Sequence, residues 1–512
     1  MKVRLISVSH KLPSWVDEGY QAYIQRFDQS ISFSTEQIAP VTRNKSERER
    51  KKNLYQVDSS ETPSEMKKQK NLALLITVAS LGYFVDIYDL ILFNIIKKDS
   101  LSSLNIDVNM YETVLFRWQM AGMLIGGLIW GILGDIKGRV SVLFGSILLY
   151  SIANIANAFV TTVEAYKFWR LLAGIGLAGE LGAAITLVSE LMPKNKRGLG
   201  TMIIVTFGAL GAVFAFFIAK NGAFITHIIS DVIGTKLENW QTAYIVGGVL
   251  GLLLLLMRAG TFESALFENA TTTKVKRGNF FMLFRKAHFK KYMACIVIGL
   301  PVWFVVGVLI ALSHKFFPEI LGLSTSTADG EILKTLSVPT PEMVMWSYVG
   351  LSTGDLLSGL LSQLFRSRKK VIYLNLMGIA VMTLVYLYGP AGSQNYYRMI
   401  AFLLGAVTGY WAIFVTNASE QFGTNIRSTV AATVPNFVRG GVLLITMGFE
   451  YFSSTFHSNN QFDGRTFTIA ALIIGAICLT LAFWGTYNVE EAFHKDLDYF
   501  EHDEVSAQSS DN

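Results

Sequence analysis

The chain has 512 residues, of which 51% are hydrophobic and 16% charged, and its formal net charge is +6. A soluble globular domain carries about 25% charged residues, so this composition excludes an ordinary soluble protein. Apolar runs of about 18 residues or more recur along the chain, and each can cross a hydrocarbon core of roughly 30 Å as a helix. Because lipid offers no partner to free backbone groups, we predict an all-α membrane protein.

The sequence lacks the patterns that several classes of function require. Cys295 and Cys478 lie far apart in apolar runs, and the seven histidines show no metal-ligand spacing. We therefore predict no disulfide, no metal site and no cofactor. The sequence also has no Gly-rich phosphate loop of the Walker type, which argues against ATP-driven transport, and no pattern typical of nucleic-acid binding.

The first 65 residues differ from the rest of the chain. We predict a short strand over Lys2–Val8, an amphipathic helix over about 14–27 and a second strand-like alternation over 31–38. The charged run 43–52 is typical of a solvated segment. No cleavable signal peptide is evident at the N-terminus, so we expect the first membrane helix to act as its own insertion signal.

The N-terminal fragment resembles a known enzyme family. Met1–Val8, Lys11-Leu-Pro-Ser-Trp15 and Gly19-Tyr-Gln-Ala-Tyr-Ile-Gln-Arg-Phe27 are similar to the start of the ribosomal large-subunit pseudouridine methyltransferase of the knotted class. The resemblance covers residues 1–52. The fragment lacks the glycine-rich cofactor loop and the knot of that family. We therefore assign no methyltransferase activity to this fragment, which cannot bury a core alone. A gene fusion or a start codon placed too early explains it, and we expect it to be poorly ordered.

Twelve apolar runs predict twelve transmembrane helices. A long basic stretch, residues 259–291, separates the sixth run from the seventh. We expect two pseudo-symmetric six-helix bundles, over 66–258 and 292–490, preceded by a short α/β-like fragment over 1–65 and followed by a tail over 491–512. The predicted helices lie near 71–95, 111–133, 139–160, 167–190, 199–220, 241–258, 292–313, 343–365, 370–389, 397–420, 428–453 and 466–487.

Lys and Arg in the short loops indicate the orientation, because they concentrate on the cytoplasmic side. With the N-terminus inside, the inner loops hold most of the bases, whereas the outer loop Ser313–Glu342 is acidic. We expect both termini in the cytoplasm and the protein in a bacterial inner membrane.

The two halves share a sequence feature. The fourth predicted helix ends in Glu190-Leu-Met-Pro-Lys-Asn-Lys-Arg197, and the tenth ends in Glu420-Gln-Phe-Gly-Thr-Asn-Ile-Arg427. The acid and the base are equally spaced in both segments, at corresponding ends. This spacing indicates an internal repeat of two related bundles.

The loop after the second helix reads Gly131-Ile-Leu-Gly-Asp-Ile-Lys-Gly-Arg139, whereas its counterpart after the eighth helix has Gln363 where the acid would lie. The glycines allow close helix approach. This loop resembles the signature of the major facilitator superfamily. The segment from Arg170 to Gly182 is similar to the fourth-helix pattern of the sugar, nicotinate and metabolite–proton symporter branches. The resemblance covers about residues 70–490.

The resemblance implies alternating access and a cytoplasmic gate whose ion pairs hold an outward-open state. The alternative is that these charges only determine topology. The implied gate residues are Gly131, Asp135, Gly138, Arg139, Glu190, Arg197, Glu420 and Arg427.

The first predicted helix carries Asp86 and Asp89, which lie on one face because they are three residues apart. A charge at the centre of a membrane helix costs about 2.5–3.5 kcal/mol, so such residues usually face a cavity and function there. Two neighbouring carboxyls suit a proton-binding site. The alternative is that one of them caps or pairs with a neighbouring helix.

Four further charges lie within predicted helices. The resemblance implies that Glu180 faces the central cavity, with an ion pair to an arginine as the alternative. For Asp355, proton coupling and a structural ion pair are equally open. Arg439 lies deep enough to require an acid or an anionic substrate, whereas Arg117 is near a helix end and can extend to the interface.

We expect secondary active transport of a small polar metabolite, anionic or polyol-like, by proton symport. Its partners would be this substrate, protons and the lipid bilayer, and the protein would be a monomer. The alternatives are an uncoupled facilitator or exporter, a transporter-like nutrient receptor, and an enzyme acting through residues 1–65. We favour transport and expect no enzymatic activity.

Overall fold

A computed structural model describes residues 2–8, 32–38, 63–192, 197–258, 278–323, 327–456, 465–493 and 499–501. The chain forms two compact units, Met1–Lys70 and Asn71–Asn512. In the first unit, β1 (Lys2–Val8) pairs in parallel with β2 (Ser32–Ile38). These bounds match the two predicted strand regions. The helix predicted over 14–27 and the charged run 43–52 lie outside the described residues.

The rest of the described structure is helical, which confirms the predicted all-α membrane fold. We refer to residues 72–258 as the first half and to 278–493 as the second half. The helices of the first half are α1 (Pro63–Ser103, whose start precedes this half), α2 (Val108–Lys137), α3 (Arg139–Asn157), α4 (Val163–Leu177), α5 (Glu180–Leu191), α6 (Arg197–Asn221), α7 (Ala223–Ile233) and α8 (Asn239–Met257).

The second half begins with a short 3₁₀ helix, Phe280–Phe284, and includes a π-helical segment, Val305–Ile310. Its α-helices are α9 (Lys286–Ile298), α10 (Leu300–Phe304), α11 (Ser313–Ile320), α12 (Thr327–Leu336), α13 (Thr340–Phe365), α14 (Arg368–Tyr388), α15 (Gln394–Thr408), α16 (Trp411–Glu420), α17 (Arg427–Thr455) and α18 (Thr466–Asn488).

Eleven helical stretches in the described part of the chain are long and apolar enough to cross a membrane, compared with the twelve predicted. The remaining predicted helix forms as α13 but is not among the eleven. Its buried side includes polar residues, namely Ser347, Ser352, Asp355, Ser358 and Ser362. The hydropathy of α13 is lowered because this side packs against other helices instead of contacting lipid.

Two predicted helices are interrupted at equivalent positions. The helix predicted over 167–190 breaks between α4 and α5 at Ala178 and Gly179, and the one over 397–420 breaks between α15 and α16 at Gly409 and Tyr410. Gly179 and Gly409 are equally far from the Glu that begins each repeat segment, Glu190 and Glu420. Both positions are crowded, because an added Cβ would lie 2.7 Å from Ser146 at Gly179 and 2.4 Å from the Asp355 nitrogen at Gly409.

Two long helix pairs join the halves: α2 packs along α17, and α6 packs along α13. Within the halves, α2 packs on α4 and α13 packs on α15. Small residues permit these close approaches. At Gly405 on α15, an added Cβ would lie 1.9 Å from the Ser347 carbonyl oxygen of α13. The close packing positions the inward-facing side chains of both halves.

We predict that Gly405→Ala lowers the free energy of unfolding by about 1–3 kcal/mol, because the added methyl group overpacks the α13–α15 contact. Gly330→Ala is the matched control, since no atom lies within 4 Å of its added Cβ. Thermal unfolding of both variants in detergent provides the comparison. Equal midpoints would contradict the close contact.

Candidate functional site

A narrow cavity lies between the two halves. Its lining comes from α1 and α6 of the first half and from α10, the π-helical segment, α13, α16 and α17 of the second half. The aromatic and charged members of this lining are Tyr83, Trp303, Tyr348, Trp411 and Arg439. Side chains from both pseudo-equivalent bundles therefore line the cavity.

Arg439 on α17 is the charged residue of this lining and is only 2% exposed. Its guanidinium donates to Asn436 Oδ1 at 3.2 Å and to the Tyr83 hydroxyl at 3.3 Å, and it lies 5.6 Å from the centre of the Trp411 ring. No carboxylate of the described residues lies within 4.0 Å of it. Asn436 in turn donates to the Ala178 carbonyl, at the break between α4 and α5.

Asp86 and Asp89 on α1 are both buried in the first half but have different surroundings. Neither carboxylate oxygen of Asp86 has a hydrogen-bond partner among the described residues. Asp89 accepts a hydrogen bond from the Asn154 side chain of α3 through one oxygen only. A buried polar group without a partner is rare in folded proteins and marks a site that requires explanation.

Glu180 begins α5 and forms a buried ion pair with Arg258, which follows α8. Arg258 Nη1 lies 2.9 Å from Glu180 Oε2, and its Nη2 contacts Oε1, so the pair is bidentate. Gly82 of α1 provides the space, because an added Cβ there would overlap both side chains. This arrangement matches the ion-pair alternative for Glu180, since its two oxygens are directed to Arg258 inside the first half.

Asp355 and Arg117 do not lie in ion pairs at depth. Asp355 Oδ1 accepts a hydrogen bond from the Ala412 backbone amide at 3.0 Å and so caps the first turn of α16 after its break. Arg117 lies 3.5 Å from Glu450, and these side chains are 39% and 49% exposed. The contact between Arg117 and Glu450 joins the halves through α2 and α17, and neither side chain lines the cavity.

We use the term charged end for a set of helix ends in the described structure. These helix ends carry Asp135, Arg139, Glu190, Glu420 and Arg427. There Asp135 of α2 reaches the N-terminus of α17 in the other half. Its carboxylate accepts from the backbone amides of Ser428 at 3.0 Å and Thr429 at 2.8 Å, and from the Thr429 hydroxyl at 2.6 Å. An acid in this position satisfies free helix amides and interacts favourably with the helix dipole.

Ion pairs surround this contact. Glu190 Oε1 lies 2.9 Å from Arg139 and 3.1 Å from Arg427, so one carboxylate bridges the halves. In the second half, Glu420 pairs with Arg368 at 2.6 Å.

The remaining predicted gate residues also lie in this region. Gly131 touches Thr429 so closely that a Cβ would lie 2.9 Å from its Cα. Gly138 has φ 101°, a conformation that favours glycine, and Arg197 is buried at the start of α6.

Sequence reasoning missed several residues that the structure brings to these sites. Arg258 was not singled out as a site residue, although it is 1% exposed and pairs with Glu180. Arg170 contacts the Gln119 side chain and lies 4.6 Å above the Phe93 ring, buried in the first half. Arg368 could have been found from the repeat, because it pairs with Glu420 much as Arg139 pairs with Glu190.

The fold and the inter-half cavity define a multi-pass membrane protein built of two packed helical halves. Residues 79–445 match the sequence profile of the Major Facilitator Superfamily. The chain belongs to this superfamily, which confirms the resemblance found in the loop after α2. Its members are transporters, not enzymes, in agreement with the prediction.

Individual relatives are more distant. The chain is 26% identical over 378 residues to a candidate niacin/nicotinamide transporter, NiaP, of Bacillus subtilis (strain 168), covering 72% of this chain and 86% of the relative. It is 24% identical over 402 residues to a candidate proline/betaine transporter of Staphylococcus haemolyticus (strain JCSC1435), covering 74% and 80%.

Among solved structures, the proton:xylose symporter XylE bound to 6-bromo-6-deoxy-D-glucose has a similar fold. The TM-score is 0.60 at 17% identity, covering 86% of this chain and 99% of XylE. These comparisons give no support to the resemblance between residues 1–52 and a methyltransferase.

We predict that Glu180→Gln lowers the free energy of unfolding by about 3–5 kcal/mol, because it leaves the Arg258 guanidinium buried without its counter-ion. The double variant Glu180→Gln/Arg258→Gln should lose less than the sum of the single variants, as measured by denaturation in detergent. Glu164→Gln removes an exposed ion pair with Lys167 and is the matched control. Additive losses would show that the two side chains are not coupled.

Proposed function

We propose that the protein is a proton-coupled symporter that moves a small planar carboxylate across the membrane by alternating access. The observation that carries this proposal is Arg439, a buried cation in a cavity between the halves with no carboxylate within 4.0 Å among the described residues. A buried guanidinium needs a counter-charge. A substrate carboxylate that enters the cavity would supply it with two parallel hydrogen bonds.

The polar groups of the cavity favour an acceptor ligand. The indole N–H groups of Trp303 and Trp411 are buried and have no hydrogen-bond partner among the described residues, and Arg439 Nε is likewise unpaired. All three are donors only. The rings of Trp303, Trp411 and Tyr348 present flat apolar surfaces suited to a planar ring. The similarity to a candidate niacin/nicotinamide transporter supports this class, since nicotinate is a planar aromatic carboxylate.

Proton coupling rests on Asp86 and Asp89. Asp86 lies close enough to both Glu180 and Arg439 to interact with them electrostatically. Its charge therefore acts on a side chain that lines the cavity and on one that is buried in the first half. Asp89 is within range of Arg170 and bonded to Asn154. A proton on Asp86 would neutralise a buried, unpartnered carboxylate at the same time as a substrate neutralises Arg439. The similarity in fold to a proton:xylose symporter is consistent with this coupling.

The charged end is the cytoplasmic gate of the proposed cycle. Its loops carry the excess of Lys and Arg that is typical of the cytoplasmic side, so both termini of the transporter face the cytoplasm of a bacterial inner membrane. The contacts of Asp135 and Glu190 across the halves correspond to a state closed on that side. Transport resides in the part of the chain that matches the superfamily, and residues 1–65 contribute no step.

We predict that nicotinate and benzoate raise the unfolding midpoint of the purified protein, whereas nicotinamide, which lacks the negative charge, does not. Arg439→Gln should abolish the stabilisation by carboxylates, and Arg439→Lys should weaken it, because Lys cannot provide the planar bidentate contact. Arg398→Gln is the matched control, since Arg398 pairs with Glu342 and is partly exposed. If no carboxylate stabilises the wild-type protein, the substrate class is wrong.

We predict that Asp86→Asn or Asp89→Asn abolishes accumulation driven by an inward proton gradient in proteoliposomes but leaves exchange of labelled for unlabelled substrate partly intact. The amide cannot take up a proton, while the cavity remains able to bind. Asp99→Asn on the same helix is the control, because Asp99 is exposed and paired with Lys220. Full accumulation by both variants would instead favour a facilitator or a different coupling site.

A further inference from the structure

The C-terminal end of the described chain folds back onto the charged end. After α18, the Glu491 carboxylate accepts from Ser367 Oγ at 2.5 Å and from the backbone amides of Arg368 at 2.9 Å and Lys369 at 3.3 Å. Glu491 therefore caps the N-terminus of α14. The arrangement resembles that of Asp135 at α17, except that the acid comes from beyond the last membrane helix.

A second contact involves Tyr499–Glu501, which we call the C-terminal clip. It binds the turn Gly423–Asn425, which connects α16 to α17. Thr424 N donates to the Tyr499 carbonyl at 2.8 Å, and Gly423 N donates to Glu501 Oε1 at 3.2 Å. The Asn425 amide donates to the Glu501 carbonyl at 3.0 Å and accepts from the Glu501 amide at 2.9 Å.

Two side chains of the second half lie near the same acid. Glu501 lies 3.8 Å from Lys291 and 3.9 Å from His288, both on α9. The Glu501 side chain is only 13% exposed. The fit is close, because a Cβ at Gly423 would lie 2.7 Å from the Glu501 nitrogen.

The turn that the C-terminal clip holds also contacts the other half. Arg139 of the first half donates to the Thr424 carbonyl at 3.4 Å. Two residues beyond Asn425, the chain reaches Arg427, which pairs with Glu190, and then the two amides that bind Asp135. The groups that bind the first half are therefore positioned by a turn whose own amides are bonded to the clip.

We propose that Glu501 is a positioning residue for the gate: the C-terminal clip holds the Gly423–Asn425 turn in the geometry that binds the first half, and so favours the state closed at the charged end. All the hydrogen bonds and ion pairs of the clip given above are made with the second half. The clip therefore does not directly block the opening of the charged end. It acts by preorganising one partner of the contact, which lowers the free energy of closure. This proposal rests on the alternating access proposed above.

The test measures the distance between nitroxide spin labels at Lys137, at the end of α2, and Lys370, near the start of α14. Both positions are exposed, lie at the charged end and belong to different halves. We expect one dominant distance in the wild-type background. Glu501→Ala should increase the population at longer distances about fivefold, as expected for the loss of one or two hydrogen bonds.

Two further variants separate positioning from general stability. Gly423→Ala displaces the clip by a steric clash and should reproduce the shift of Glu501→Ala, whereas Glu164→Ala, which breaks an exposed ion pair elsewhere, should leave the distances unchanged. A merely structural role predicts a lower unfolding midpoint with an unaltered distance distribution. That result, in either Glu501→Ala or Gly423→Ala, would overturn the proposal.

The distance measurement requires neither substrate nor a proton gradient. A shift in Glu501→Ala together with a failure of carboxylates to bind would overturn the proposed substrate but leave the role of the clip in place. Unchanged distances in a protein that transports nicotinate with a proton would overturn only the role of the clip.

Discussion

The carboxylate of Asp135 lies buried against the N-terminus of a helix that belongs to the other half of the protein. It accepts two backbone amides and one hydroxyl of α17, so the helix end and the acid satisfy each other away from water. Because each partner would be left buried and unsatisfied without the other, the contact is stable only as a complete set. The bridging of Arg139 and Arg427 by Glu190 adds a second link with the same property.

This kind of contact suits the proposed alternating access, in which the halves separate and rejoin. Hydrogen bonds and ion pairs can be exchanged for bonds to water when the charged end opens, so the net cost of opening is far smaller than the gross interaction. The helix surfaces beside these contacts carry small residues, since Gly131, Gly134 and Gly182 lie directly against α17. In the proposed cycle, these surfaces let the halves rock about the cavity that contains Arg439.

The sequence predicted the helices well but not how they are interrupted. Long apolar runs are sufficient to predict membrane helices, and the repeated spacing of Glu190–Arg197 and Glu420–Arg427 indicated the two-bundle plan. The breaks at Gly179 and Gly409 were not predicted, because periodicity does not describe the close approach of neighbouring segments at these positions. The same reason explains α13, whose polar residues face other helices and reduce its apolar character.

The candidate site was predicted only in part. Depth within an apolar run identified Asp86, Asp89, Glu180 and Arg439 as unusual, since charge in such a run is costly. Their partners could not be read from the sequence: Glu180 meets Arg258 and Asp355 caps α16, both through contacts between distant segments. Asn154 beside Asp89 carries no signal in an apolar helix until the fold brings the two together.

Hydrogen–deuterium exchange of the peptide that contains Ser428 and Thr429 tests the inter-half contact most directly, because these two amides donate to Asp135. We expect slow exchange in the wild-type protein and clearly faster exchange in Asp135→Asn, which has lost the charge and one acceptor oxygen. Equal exchange in the two proteins would contradict the claim that Asp135 closes the charged end.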